Sequence, residues 1–365
     1  MGYTKPCGLI SFLACILVLV CGEKDIERGT ASSDVDGNAK VSALFTLGDS
    51  IVDPGNNNFL PTIAKANHPP YGQDFIDKRP TGRFSNGKLT TDFVAAALGL
   101  KDTLPGYLEP DLSIQDFLTG LSFASSATGY DNLTAINFNV IPMWKQMEFL
   151  KEYKAHLEDM VGKEKSINII EEALFLMVAG TNDFIYNYFS FPIRKHELSV
   201  EQYQNFLLDI SSNLIQDLYN VGARKVGVTG LPPLGCLPMV RDNQRNSVES
   251  ACIEEFNQIA ISYNKKLKEN METLQARLPG ITLGYLDIYD SLLDIITYPT
   301  KYGFESSTRG CCGTGSTELA FSCNVVTPIT CADASKFVFW DALHPTQKAS
   351  EILANVLIEQ YIKFL

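Results

Sequence analysis

Short runs of strand length recur along the chain, at residues 41–48, 122–125, 173–179, 226–229 and 281–286. Apolar runs bounded by turn residues predict strands buried in a sheet. Between them lie longer stretches with helical spacing. After the third run, Ser199-Val200-Glu201-Gln202 is a capping box, whose serine and glutamine side chains take up backbone amides left free at a helix start. Leu207, Ile210, Leu214 and Leu218 then form one apolar stripe, and Gly222 ends the helix. A second helix carries Ile253, Phe256, Tyr263, Leu267, Leu274 and Leu278 ahead of Pro279-Gly280. A third is predicted to begin at Pro345, since proline suits a first helical turn, and to run to the end of the chain.

Strand–helix–strand alternation implies parallel strands, right-handed crossovers and helices on both faces of the sheet. Ligands of such sheets sit beyond the carboxyl ends of the strands. Ser50, Asn182 and Leu231-Pro232-Pro233 all fall just past strand ends, so they are expected along one edge. With no internal repeat and no Pro- or Ser-rich linker, residues 41–365 read as a single domain. Residues 23–40 lack periodicity and read as an irregular lead. Residues 1–22 have a basic start at Lys5, an apolar stretch from Cys7 to Val20 and a small-residue exit at Cys21-Gly22, the pattern of a secretory signal peptide. That stretch falls short of the ~20 apolar residues a span needs, so no stable membrane anchor is expected.

The chain has a formal net charge of −12, and losing residues 1–22 removes one base and no acid. Nucleic acids and anionic membranes are held by basic patches, which excludes nucleic-acid binding as the function. Beyond the signal peptide the cysteines are Cys236, Cys252, Cys311, Cys312, Cys323 and Cys331. An even set in an exported chain predicts disulfides. Cys236–Cys252 is the expected local bridge. Cys311 and Cys312 are adjacent, so each is expected to reach Cys323 or Cys331, in either order. No paired C-x-x-C and no neighbouring histidine completes a zinc set, so no metal is implied.

The chemistry is carried by three separated segments. Gly48-Asp49-Ser50 follows the first run, Gly180-Thr181-Asn182-Asp183 follows the third, and Asp341-Ala342-Leu343-His344 lies near the end. A serine hydroxyl needs a base to attack an acyl carbon, and histidine titrates near neutrality. Ser50 is therefore the candidate nucleophile, His344 its base and Asp341 the carboxylate that orients the ring. Gly48 allows the turn, and Asp49 can accept the backbone bonds that hold it. The Ser50 N–H and the Asn182 amide are candidate donors to an oxyanion. Of the other histidines, His156 and His196 sit among charges and read as surface, while His68 could border an acyl site. Asn132-Leu133-Thr134 is the only N-glycosylation sequon. Gly82 to Lys88 has P-loop spacing, but Leu89 stands where Ser or Thr is needed and no buried strand precedes it. A G-x-S-x-G elbow and an H-E-x-x-H zinc motif are both absent from the sequence.

These residues resemble the plant branch of the GDSL (SGNH) esterase/lipase family. The resemblance runs in order through Gly48-Asp49-Ser50-Ile51-Val52-Asp53-Pro54-Gly55-Asn56-Asn57-Asn58, Pro80-Thr81-Gly82-Arg83-Phe84-Ser85-Asn86-Gly87, Ser122-Phe123-Ala124-Ser125, Leu231-Pro232-Pro233-Leu234-Gly235-Cys236, Cys311-Cys312-Gly313 and Phe339-Trp340-Asp341. It implies a flavodoxin-like SGNH-hydrolase sandwich and a secreted enzyme that cleaves acyl esters through an acyl-serine, without a cofactor. It also implies a third oxyanion donor, normally a glycine amide. Here that position is Ala127, with Gly129 two residues on, and Ser122 stands where asparagine is commoner. Two other readings of the same residues are an acyltransferase, which passes the acyl group to an alcohol, and a non-enzymatic lipid-binding or coat protein.

Overall fold

The computed structural model describes residues 41–242, 251–326 and 330–363. The segments read as signal peptide and lead lie outside the described residues. Strands β1 (Leu44–Gly48), β2 (Leu174–Val178), β3 (Lys225–Thr229) and β4 (Thr282–Leu286) form one parallel sheet in that spatial order. Side chains alternate across it. Phe45, Leu47, Phe175, Met177, Val226 and Val228 pack against helices Met143–Val161, Val200–Val221 and Glu254–Arg277. Leu44, Leu174, Leu176 and Leu286 pack against helices Thr90–Ala97 and Gln347–Ile362. Both faces are covered, which is why these strands read as continuous apolar runs.

The capping box is present: Gln202 N donates to Ser199 Oγ at 3.2 Å, and Ser199 N donates to Gln202 Oε1 at 2.9 Å. Two expectations need correction. Residues 122–125 are not a ladder strand. They run beside β1, with Phe123 N donating to Thr46 O and Ser125 N to Gly48 O, but their outer carbonyls are taken by side chains. Asn56 Nδ2 donates to the carbonyls of Ser122 and Ala124, and Asn57 Nδ2 to that of Ser126. Counting this segment second in the chain, the order becomes 2-1-3-4-5, the flavodoxin-like arrangement, whose switch point lies between β1 and β2. The last helix begins at Gln347, not Pro345, because Thr346 is its N-cap, its Oγ1 accepting from Ala349 N at 3.3 Å.

A second, two-stranded parallel sheet had no sequence signal. It pairs β5 (Ser306–Gly310) with β6 (Phe337–Phe339). Disulfides Cys311–Cys331 and Cys312–Cys323 tie the segment between these two strands, and Cys236–Cys252 closes as expected. The cysteines at 311, 312 and 323 pack with Tyr71, Phe84 and Trp340 in a small core under the turn that carries Asp341.

Candidate active site

The site is built at the carboxyl ends of β1 and β2. Gly48 has φ +140°, and a β-carbon there would lie 1.8 Å from Val178 O, so only glycine lets β1 approach its neighbour and turn. The turn is held from both sides. Gly48 N donates to Gln146 Oε1 at 2.8 Å and Gln146 Nε2 donates back to Gly48 O at 3.0 Å, while Asp49 Oδ1 accepts from Ile51 N at 3.0 Å. Burial pushes the Asp49 carboxyl up to about 7, against the pull of the Ile51 N–H and of His344.

From β6 the chain turns through Trp340 to His344. Ser50 Oγ lies 2.7 Å from His344 Nε2, and His344 Nδ1 lies 2.9 and 2.8 Å from the two oxygens of Asp341. The carboxylate only accepts, so the Nδ1 proton faces Asp341 and Nε2 is left to accept from the serine. Asp341 is fully buried and has three further donors. Leu343 N and His344 N reach Oδ1 at 2.9 and 2.7 Å, and the Tyr71 hydroxyl reaches Oδ2 at 2.7 Å. Phe84 covers the imidazole, with ring centroids 4.7 Å apart.

Asn182 is buried behind β2 and donates from Nδ2 to Thr128 O at 2.8 Å, which ties it to the segment after residue 125. The second Nδ2 hydrogen is left for a ligand. Ala127, with φ +67°, lines the same cleft as Ser50, Asn182 and His344. Gly129 packs against the Asp183 carboxylate, and a β-carbon on it would lie 2.1 Å from Asp183 Oδ1. The Asp183 carboxylate accepts from the N–H groups of Tyr130 and Asp131 and from the Thr134 hydroxyl, and so fixes the loop carrying Ala127. Its burial raises it to about 8.

Several supporting residues escaped the sequence reading. Tyr71, Gln146 and Asp183 act on partners distant in the chain and leave no local pattern. The segment with P-loop spacing turns out to hold the site together. Arg83 grips Asp92 through Nε and Nη2, both at 2.8 Å, and also reaches the carbonyls of Pro54 and Leu104. Asn86 Oδ1 accepts from Gln347 N at 2.8 Å, anchoring the helix that follows His344. His156 and His196 are exposed, and His68 meets the edge of Tyr71 outside the cleft at Ser50. Asn132 is exposed at the start of a short helix. Among the described residues, no helix is long and apolar enough to cross a membrane.

A parallel sheet with a buried Ser–His–Asp relay at its carboxyl edge defines an α/β serine hydrolase. The family profile of GDSL-like lipases/acylhydrolases matches residues 44–357. Two GDSL esterases/lipases of Arabidopsis thaliana are each 46% identical, over 90% of this chain and 93% of the relative, and over 87% and 90%. A third is 42% identical over 98% and 99%. An acetylxylan esterase of Geobacillus stearothermophilus overlays at a TM-score of 0.38 and 12% identity, covering 88% of this chain and 96% of that one, too loosely to bear on the site. The chain belongs to the GDSL-like lipase/acylhydrolase family, and it is a carboxylic-ester hydrolase.

Proposed function

We propose that Ser50, His344 and Asp341 are the catalytic triad of an exported esterase or lipase acting on acyl-lipid esters. The observation that carries this is the unbroken relay of 2.7–2.9 Å contacts from Ser50 Oγ through His344 to Asp341, closed off from water on its Asp341 side and open to a cleft on its Ser50 side. Ser50 Oγ bonds to the ester carbonyl carbon as its proton moves to His344 Nε2. The carbonyl oxygen takes the electron pair and is held by the N–H groups of Ser50 and Ala127 and by Asn182 Nδ2. Collapse breaks the bond to the alcohol, which leaves with the proton from His344. The same imidazole then takes a proton from water, which attacks the acyl-serine and frees the acid. Asp341 holds the ring through Nδ1 and steadies the imidazolium.

Residues 1–22 would direct export and be removed, residues 41–365 would form the single catalytic domain, and Asn132 would carry a glycan near the cleft. Exposure of Asn132 and the three disulfides support that reading. The test is turnover of p-nitrophenyl esters by protein made in a secretory host, with Ser50→Ala and a fluorophosphonate probe alongside. The proposal expects turnover and labelling that both vanish in the variant. Equal turnover by Ser50→Ala overturns it. N-terminal sequencing of the secreted protein and a glycosidase shift lost in Asn132→Gln check the export and glycan parts.

A further inference from the structure

Two cavities meet at Ser50 and His344, and they differ in character. The first is the open cleft of about 290 Å³, rimmed by Ile63, Phe84, Tyr186 and Phe321. The second, of about 80 Å³, leads inward between the sheet and the helices behind it. Its walls come from β2 and β4 (Leu176, Leu286), helix Thr90–Ala97 (Val94), helix Tyr289–Thr297 (Leu292) and helix Gln347–Ile362 (Leu353, Leu357). Asp49 and His344 are the ionisable side chains that line it, and both belong to the reacting end.

We infer that this inner cavity is the acyl-chain channel and that it sets which chain lengths are cleaved, while the open cleft takes the alcohol part of the ester. The inference rests on the serine-esterase reading above. Its occupant follows from the order of the steps and from the lining. The alcohol leaves first and needs the open cleft as its route out, while the acyl group stays bonded to Ser50, and the inner walls offer an alkyl chain carbon to pack against and nothing charged to a polar group. An apolar cavity of about 150 Å³ holds a benzene ring, so about 80 Å³ accepts roughly three chain carbons beyond the carbonyl. That corresponds to a butanoyl chain. Each methylene taken out of water should raise kcat/KM by roughly fourfold until the channel is full, after which the gain stops.

The wall residues give opposite handles. Val94→Phe puts a ring into the channel and should shorten the optimum to acetate. Leu357→Ala removes bulk and should lengthen the optimum beyond butyrate. The experiment measures kcat/KM of the secreted protein and both variants on p-nitrophenyl esters from acetate to palmitate, with thermal melts to check folding. The expected result is at least a tenfold fall in the butyrate-to-acetate ratio for Val94→Phe and a rise in the hexanoate-to-butyrate ratio for Leu357→Ala. If Val94→Phe fails to fold, Leu357→Ala alone decides. Folded variants with the wild-type chain-length profile overturn the channel and leave the cavity as a packing void. No turnover of any ester, with Ser50 unlabelled by fluorophosphonate, overturns the esterase reading along with it.

Discussion

Replacing Tyr71 by phenylalanine removes one oxygen and leaves the ring. That ring is 1% exposed and packs edge-on against Phe84 and Trp340, so the small core under the triad should persist. Two hydrogen bonds go: the hydroxyl's bond to Asp341 Oδ2 at 2.7 Å, and the one it accepts from Ala320 N at 3.0 Å. A hydrogen bond to a charged group contributes about 1.5–3 kcal/mol, which sets the expected loss of stability. The loss in rate should be smaller than that from removing the carboxylate. Oδ1 keeps its bonds from the backbone of Leu343 and His344, so Asp341 stays mostly in place, but its second oxygen is free to swing away from the imidazole.

Tyr71→Phe should therefore lower kcat by roughly tenfold with KM unchanged. Asp341→Asn should cost about 10⁴ in kcat, as loss of the third triad member does elsewhere. The assay is steady-state hydrolysis of a short p-nitrophenyl ester, with urea unfolding of both variants beside wild type. Two results would refute the reasoning. If Tyr71→Phe matches wild type in both kcat and stability, the tyrosine does not hold the carboxylate. If it is as slow as Asp341→Asn, the backbone bonds to Oδ1 do not hold it either.

Asn182→Ala should lower kcat by about 10²–10³, the usual cost of one oxyanion donor, without a matching rise in KM; a loss under threefold would remove Asn182 from that role. The buried Asp49 and Asp183 carboxyls, raised by burial from the ordinary aspartate range to about 7 and about 8, hold protons more tightly folded than unfolded. Their stabilising contribution is complete below about pH 4 and is lost as pH rises through about 7 to 8. Asp49→Asn keeps the acceptor for Ile51 N, so its melting temperature should fall less than that of wild type between pH 5 and pH 8, and parallel curves would contradict this. Replacing both Cys311 and Cys331 by alanine opens a loop with a sequence separation of 20, worth about 3 kcal/mol. The melting temperature should drop by several degrees and kcat should fall with it, because the loop underlies the Asp341 turn; an unchanged melting curve would contradict the assignment.

The sheet was legible in the sequence because strands covered on both faces must be largely apolar; β1, β2 and β4 fall inside the runs read first, and β3 starts one residue ahead of its run. Ser50, Asn182 and the Asp341–His344 pair were legible for a related reason. Each sits immediately after such a strand or acts over a few residues, as Asp49 does on Ile51 and Asp341 on Leu343 and His344. The segment 122–125 was located beside β1 but misread as a strand, since nothing in its own residues says that Asn56 and Asn57 occupy its outer edge. The β5–β6 sheet was missed because Ser306-Ser307-Thr308-Arg309-Gly310 has no apolar run and depends on the cysteine-rich core behind it.

The same contrast separates the reacting groups from the groups that aim them. Tyr71 reaches Asp341 across 270 residues, Gln146 reaches Gly48 across 98, and Asp183 reaches Tyr130 across 53. Each is one side chain meeting a backbone or carboxylate brought to it by the whole fold, so no periodicity or spacing marks it beforehand. Yet each is fully or almost fully buried, and a buried polar group left without its partner costs about as much as a lost hydrogen bond or more. The aiming groups are thereby tied to folding as well as to chemistry. Tyr71→Phe should show this by losing stability and kcat together, whereas Ser50→Ala should lose only the reaction.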